Sequence, residues 1–144
     1  MPARPTIERM KRNIFIVVLV VALAGAFIGY RMYNEKTPTA SEKAADVTVD
    51  ATALFAAFTT DEMAAGKLYN DKVLQVKGIV REVSAPGNGP VNVMLETGDA
   101  MGAVVCEFAA DKSPSWQKGQ SVSVKGFCAG YNLDVLLQRC AAVD

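Results

Sequence analysis

The sequence predicts a small, mainly β domain with a helical lead-in, placed behind one N-terminal transmembrane helix. Three observations predict it: an uncharged apolar run near the N-terminus, period-two alternation after residue 71, and turn residues that divide the alternating part into five strands. The chain has 144 residues, and the part after residue 49 is long enough for one ordinary domain. We therefore expect a single folded domain at residues 50–144.

The apolar run extends from Ile14 to Tyr30, seventeen residues without a charged side chain. As a helix it would span about 26 Å, close to the roughly 30 Å of a bilayer's hydrocarbon core. We predict a transmembrane signal anchor at residues 14–33. A cleaved signal peptide is the alternative, because Ala22-Leu23-Ala24 resembles a cleavage site, but the apolar part of a signal peptide is usually only about 7 to 15 residues long. A buried helix of a soluble core is a weaker alternative, since the run has no polar face.

Basic residues surround this run unevenly. Residues 1–13 contain four, whereas Arg31 and Lys36 follow the run. The positive-inside rule then predicts a cytoplasmic N-terminal tail, a single pass through the cytoplasmic (inner) membrane, and a C-terminal domain that is periplasmic or extracellular. No Cys lies near the end of the run, so we do not expect a lipid-modified Cys.

A spacer and a helical segment are predicted after the anchor. Residues 34–49 are mostly short and polar without apolar periodicity, which predicts a flexible linker. Helical spacing begins after Asp50, which suits an N-cap. Residues 59–62 have the form of a capping box and predict a second helix, although one kinked helix fits equally well. The apolar side chains at helical spacing are interpreted as core residues rather than ligand contacts: Ala51, Leu54, Phe55 and Phe58.

Five strands are predicted from residue 72 onward. The first is long and contains Gly78, and a glycine inside a strand often marks a bulge or a sharp bend. A short helix is predicted between the third and fourth strands, because Pro114 suits a first helical turn and Gly119 suits a helix end. Turn residues at 84–90 and 129–132 follow the first and fourth strands. The strands are predicted at residues 72–83, 91–96, 102–108, 120–128 and 133–143.

This order of elements is that of the OB-fold, a small, partly open, five-stranded barrel with a helix between its third and fourth strands. A long first strand that bends suits this fold, because it pairs in both halves of the barrel. An SH3-like barrel is the alternative, and it would not need the helix around Trp116.

Several motifs in the domain carry a family resemblance. The segment from Asp61 to Val80, the strand residues Val104–Phe108 and the segment from Lys118 to Cys140 resemble the bacterial tRNA_anti-like (tRNA-anticodon-binding-like) family over about residues 50–143. The resemblance implies an OB-fold and a small envelope protein, and it does not imply tRNA binding, because fold does not fix function. The sequence departs from lipoprotein members by having an apolar helix in place of a lipid-bearing Cys. The most specific matches are Asp61, Glu62, Ala64, Ala65, Tyr69, Lys72, Lys125, Gly126, Cys128, Gly130, Asp134, Val135 and Cys140.

Nucleic acid is an unlikely partner on charge and composition. Residues 34–144 contain 10 basic and 14 acidic side chains, a net charge of 10 − 14 = −4. Single strands usually bind an OB-fold on its second and third strands, through aromatic side chains in a basic groove. The side chains expected on that outer face contain no aromatic and no base: Asn92, Met94, Glu96, Ala103, Val105 and Glu107.

The loops at one end of the barrel offer the best candidate ligand contacts. Arg81 and Asn88 are expected near the first loop, and Tyr131 and Asn132 in the last. Each also has a purely structural interpretation: the two Asn residues suit turns, and Tyr131 suits a cap on the barrel end.

The cysteines allow one disulfide in an exported domain: Cys106, Cys128 and Cys140. A hairpin closed near Tyr131 would separate Cys128 and Cys140 by about 20 Å, too far for a bridge. We therefore favour Cys106 with Cys140. A long irregular turn would allow Cys128 with Cys140 instead, and three buried free thiols are the third alternative. With no His and no C-x-x-C pair, a metal site is not expected.

No catalytic constellation is evident. The chain has no His, the commonest general base. Glu96, Asp99 and Glu107 could converge, but solvated surface charge is the favoured interpretation. We expect a non-enzymatic module without a cofactor that binds a protein or envelope component, with a single-stranded nucleic-acid-binding domain as the alternative.

Overall fold

The computed structural model describes residues 7–35 and 38–144, and the chain divides into two compact units, residues 1–37 and residues 38–144. In the first unit, α1 runs from Ile7 to Asn34 and buries none of its side chains. It is long and apolar enough to cross a membrane. The helix begins earlier than the predicted span of 14–33, and it includes much of the basic tail. Arg4 and Lys36 lie outside the described residues.

The second unit is a β-barrel with two lead-in helices. After a 3₁₀ turn at Ala40–Glu42, the chain forms six strands, and two α-helices lie between the first and second of them. The helices are α2 (Ala51–Thr60) and α3 (Glu62–Tyr69), and the strands are β1 (Val47–Asp50), β2 (Val73–Ser84), β3 (Val91–Leu95), β4 (Val104–Phe108), β5 (Ser121–Asn132) and β6 (Asp134–Val143).

The barrel closes in the order expected for an OB-fold. The sheet order is β1-β2-β3-β4-β6-β5, and β2 also pairs with β5, which closes the ring of β2 to β6. The strand pairs are antiparallel except β1 with β2 and β4 with β6. The prediction of a mainly β, five-stranded OB-type barrel with a helical lead-in is therefore confirmed.

One strand was not predicted. Residues 34–49 were expected to form a flexible linker, but β1 pairs in parallel with β2 from Val47 opposite Leu74 to Asp50 opposite Lys77. The Asp46 carboxylate accepts a hydrogen bond from the Val73 amide at 2.8 Å, which holds the start of this strand. A strand of four residues with only two apolar side chains has too short an apolar alternation to be recognised inside a polar segment.

The lead-in consists of two helices rather than one kinked helix. They break at Asp61, whose φ of −151° is extended, and its side chain caps α3 by accepting from the Ala64 amide at 3.0 Å. The capping-box pattern predicted Thr59 as the cap, so the observed cap lies two residues later. Thr59 instead donates its hydroxyl to Phe55 and Ala56 carbonyls within α2. Phe55 and Phe58 are buried in the barrel core, as predicted.

The predicted short helix between the third and fourth barrel strands is wrong. Only a 3₁₀ turn at Ala110–Lys112 forms, ahead of Pro114. The segment that follows is held by Trp116, whose ring packs edge-to-face on Phe108 with centroids 5.7 Å apart. Trp116 thus packs against the barrel core in the place where a helix was expected.

Gly78 lies in β2, but it does not form the bulge of this strand. A Cβ atom on Gly78 would lie 3.0 Å from the Ala51 Cβ and 3.3 Å from the Leu95 Cβ, so the glycine lets α2 approach the strand. The bulge is three residues further on, where the register with β3 shifts between Val80 and Glu82. The largest fully buried side chains are Leu54, Phe58, Leu74, Val76, Val80, Val93, Leu95, Val104, Phe108, Val124, Val135 and Leu137.

Candidate binding face of the barrel

The outer surface of β3, β4 and β6 carries an apolar row. Met94 lies opposite Val105, and Val105 lies opposite Leu136, so the three side chains stand side by side across three strands. Inner and outer positions alternate along β3 and β4, with the even-numbered side chains of β3 and the odd-numbered ones of β4 partly exposed. Leu136 is 37% exposed. The row therefore presents partly exposed apolar surface on the sheet.

Carboxylates flank this row. Glu82 on β2 lies opposite Met94, and Glu107 on β4 lies opposite Asn92 in the neighbouring row. Glu96, at the end of β3, forms an ion pair with Arg81 at 3.2 Å. The apolar row and its acidic margin would suit a partner with apolar side chains flanked by cations.

Two exposed apolar side chains lie in the loops at the end of this face. Met101, in the β3–β4 loop, is 91% exposed, and Leu133, at the tip of the β5–β6 hairpin, is 76% exposed. The loops touch, because a Cβ atom on Gly102 would lie 3.2 Å from the Leu133 carbonyl oxygen. We call the five residues Met94, Met101, Leu133, Val105 and Leu136 the apolar face.

Leu133 has an uncommon backbone conformation. Its φ is +64°, in the left-handed region that favours glycine and disfavours branched or bulky residues. It is the single residue between the paired Asn132 and Asp134. The hairpin thus keeps an exposed leucine in a strained turn, and such strain is concentrated at functional sites.

The β3–β4 loop is held by its own hydrogen bonds. Asp99 accepts from the Met101 amide at 2.7 Å and from the Gly102 amide at 2.9 Å. These two backbone hydrogen bonds, with the amide of Gly102 contributing most, lower the pKa of the Asp99 carboxyl below its ordinary value. Buried Thr97 donates to the Gly102 carbonyl at 2.7 Å. The loop that presents Met101 is therefore well defined.

The predicted ligand contacts do not form one cluster. Arg81 binds Glu96 and donates to the Asp99 carbonyl at 2.7 Å, so it ties β2 to the β3–β4 loop. Tyr131 stacks on Phe58 with ring centroids 5.7 Å apart and lies edge-on to Phe55, as the structural interpretation expected. Asn88 is exposed in the β2–β3 loop, and Asn132 is exposed at the end of β5. A role in ligand binding for these four residues stays a prediction.

The outer face differs from the prediction at one position. Ala103 was expected on the surface, but it is 3% exposed, and its amide donates to the Asp134 carboxylate at 2.7 Å. The side chains Asn92, Met94, Val105 and Glu107 face outward as predicted. Leu133 and Leu136 were missed because the hairpin was centred near residue 131, whereas its centre is Leu133.

The cysteines are all free and all buried, which is the third of the predicted alternatives and corrects the favoured Cys106–Cys140 disulfide. These two residues are nevertheless neighbours: hydrogen bonding to Cys140 and burial raise the pKa of the Cys106 thiol well above its ordinary value. Burial raises the pKa of the Cys128 thiol too, and its sulfur lies 3.7 Å from the Asn70 amide oxygen. Raised pKa values make reactive thiolates unfavourable at neutral pH.

Other sites are less well formed. Over residues 7–35 and 38–144, no group of three or more His, Cys, Asp or Glu side chains is placed to hold a metal ion. One depression on the barrel has a volume of about 640 Å³ and lies between α2 and β2, beside Ala53, Gly78 and Ile79. It is open to solvent and mixes small, apolar and charged side chains of both signs, so it lacks the converging polar groups of a ligand pocket.

Comparison with known proteins identifies the family. The model of the tRNA_anti-like family matches residues 8–142. The chain belongs to the tRNA_anti-like family. A search of curated proteins gives no match.

Two solved structures are similar to this tRNA_anti-like chain. A protein from Klebsiella pneumoniae, described as a "putative nucleic acid-binding lipoprotein", is 14% identical, with a TM-score of 0.57 over 71% of this chain and 100% of that one. At this identity the likeness shows the fold alone. Asparaginyl-tRNA synthetase from Entamoeba histolytica is also 14% identical, but the match covers 69% of this chain and 24% of that one, with a TM-score of 0.43. That second likeness carries no argument.

Proposed function

We propose that this protein is a membrane-anchored, non-enzymatic OB-fold module that docks a segment of another protein outside the cytoplasm. The observation that carries the proposal is the apolar row of Met94, Val105 and Leu136 on the outer surface of the barrel. OB-folds bind their ligands on this side. An exposed apolar group rimmed by polar residues is typical of a protein-interaction surface.

The negative charge at the margin of the apolar face indicates which kind of partner segment it would bind. Glu82 and Glu107 stand beside the row without an ion pair among the described residues. We infer that the docked segment presents apolar side chains flanked by Lys or Arg. Such complementarity gives specificity and a faster encounter.

Single-stranded nucleic acid is the second candidate, because the Klebsiella protein of the same fold is described as nucleic acid-binding. The apolar face of this chain suits a single strand less well than a protein segment, because single strands bind to aromatic side chains in a basic groove. The row itself and its neighbours Asn92 and Glu107 are neither aromatic nor basic, and Arg81 at the margin is paired with Glu96.

The anchor supports the proposed location. Helix α1 is long enough and apolar enough to cross a bilayer, and more basic residues precede its apolar part than follow it. With the N-terminus inside, the barrel lies on the outer side of the inner membrane. A binding role also suits the chemistry of the chain, which has no His and whose Cys106 and Cys128 thiols have raised pKa values.

A peptide-display selection on residues 38–144 tests the proposal. We expect enriched peptides to combine apolar residues with Lys or Arg, and we expect V105E to abolish their binding because it places a charge in the middle of the row. S121E, at an exposed position on β5, is the matched control and should bind normally. Enrichment of acidic peptides, or equal binding by V105E, would contradict the proposal. Salt-sensitive binding of single-stranded DNA that V105E weakens would favour the second candidate instead.

A further inference from the structure

A cationic cluster lies on the outer surface of β5 and β6, and β6 also carries Leu136 of the apolar face. The Arg139 guanidinium carbon is 4.0 Å from the centroid of the Phe127 ring, and the Lys43 ammonium is 5.3 Å from it. Lys125 joins them by donating to the Lys43 carbonyl at 2.9 Å. We call Lys43, Lys125, Phe127 and Arg139 the cationic cluster.

The cluster has no acidic partner among the residues that the structure describes. The ion pair found there is Arg81 with Glu96, on β2 and β3. Asp46 is the carboxylate that holds the start of β1, where it accepts from the Val73 amide. Asp71 lines the same depression as Arg139, of about 370 Å³, without reaching ion-pair distance. The positive charge therefore faces solvent, although the domain as a whole is acidic.

A bulge in the backbone of β6 places Arg139 on this surface. In the β5–β6 ladder, Lys125 pairs with Ala141 but Phe127 pairs with Gln138, so β6 contains an extra residue between them. Arg139 occupies this bulge with φ +52°, a conformation that arginine adopts at a cost. Stacking on Phe127 leaves the N–H edge of the guanidinium available for a phosphate, to which Arg can donate two hydrogen bonds.

The covalent chain ties the cluster to α1. Lys43 follows Asn34, the last residue of α1, by nine residues. A segment of nine residues spans at most about 30 Å. If α1 crosses the membrane, as the proposed function holds, the cluster is confined close to the lipid headgroups at a high effective concentration, and even weak attraction is enough for contact.

We propose that the cationic cluster binds the phosphate groups of anionic phospholipids, and so sets the orientation of the barrel on the membrane. In the closed ring, β5 pairs with β2 and β6, on the opposite side from β3 and β4. With β5 toward the bilayer, β3 and β4 of the apolar face turn away from the lipid toward a partner. The remaining acidic surface is repelled by anionic lipid and reinforces the same orientation.

Vesicle sedimentation of residues 38–144 tests the cluster without the anchor. This part carries the whole described core, because α1 buries no side chain. We expect binding to vesicles of equimolar phosphatidylcholine and phosphatidylglycerol, no binding to phosphatidylcholine alone, and loss of binding as salt is raised. Each Lys or Arg contributes about fivefold near such a surface, so K43Q/K125Q should weaken partitioning roughly 25-fold.

The matched control is K67Q/K118Q, which removes two exposed lysines outside the cluster and should leave binding nearly unchanged. Equal binding to neutral vesicles, no binding to anionic ones, or equal losses in the two double variants would overturn the proposal. Binding of inorganic phosphate or of a single-stranded oligonucleotide, without vesicle binding, would also overturn it. Peptide docking at the apolar face does not depend on these outcomes, so the two proposals fail separately.

Discussion

Leu133 shows most clearly how a single residue can indicate function. An exposed leucine at φ +64° costs stability in two ways, through its backbone and through its exposed apolar surface. No sequence rule would place it there, because Gly, Asn or Asp normally occupies such a position. The turn was predicted at residues 129–132, where Gly130 and Asn132 have the expected composition, and this is why the hairpin was centred two residues too early.

Substitution of Leu133 tests this interpretation. L133G should raise the free energy of unfolding by about 1 kcal/mol relative to L133A, because glycine adopts a positive φ without the steric cost. Both variants should bind display-selected peptides more weakly than the wild type, since both remove apolar surface. Urea denaturation measures the first effect and peptide titration the second. If L133G and L133A are equally stable, the backbone at this residue is not strained.

Asp99 makes the β3–β4 loop sensitive to acid. Its folded-state pKa lies below its ordinary value, because the Gly102 and Met101 amides bind the charged carboxylate. Its contribution to stability is therefore complete above the unfolded-state pKa, about 4, and is lost as the pH falls through the lower folded-state pKa.

The variant D99N isolates this contribution from other carboxylates. We expect the melting temperature of the wild type to exceed that of D99N at neutral pH, and we expect the difference to shrink at acid pH. Thermal melts of both proteins between neutral pH and strongly acid pH measure it. A difference that stays constant, or that grows in acid, would contradict the assignment.

Among the secondary-structure elements, those with a long apolar periodic pattern were predicted from the sequence. Those that depend on tertiary contacts were missed. The long alternating strands β2, β5 and β6 were located to within a few residues, since each carries several period-two apolar positions. Strand β1 is stabilised mainly by β2, and the expected helix after β4 is replaced by the packing of Trp116 on Phe108. Neither contact is local in sequence, so local patterns could not reveal them.

The two lead-in helices allow a matched test of capping. Asp61 accepts a hydrogen bond from the Ala64 amide at the start of α3, whereas Asp50, at the start of α2, forms no such bond. We expect D61A to lower the free energy of unfolding by about 1 kcal/mol. D50A should cost less, about 0.3 kcal/mol, through the helix dipole alone. Chemical denaturation of both variants measures the difference, and a larger loss for D50A would be inconsistent with this assignment of the caps.

For the whole molecule, the barrel carries two surfaces of different chemistry, and both extend onto β6. The apolar face with its acidic margin covers β3, β4 and β6, and the cationic cluster lies on β5 and the bulge of β6. The fold class, the core and the long apolar N-terminal helix were all accessible from sequence. The two surfaces were not, because each depends on strand register: a row such as Met94, Val105 and Leu136 exists only when three separate strands are aligned.

Backbone amide chemical shifts test the central claim most directly. Residues 38–144 labelled with ¹⁵N would be titrated with a display-selected peptide that combines apolar and basic residues, beside the same peptide with its basic residues replaced by Glu. We expect the basic peptide to shift the amides of residues 92–95, 104–107 and 133–137, and the acidic peptide to shift none. Shifts confined to the outer surface of β5 around Phe127, or equal shifts with both peptides, would contradict docking at the apolar face.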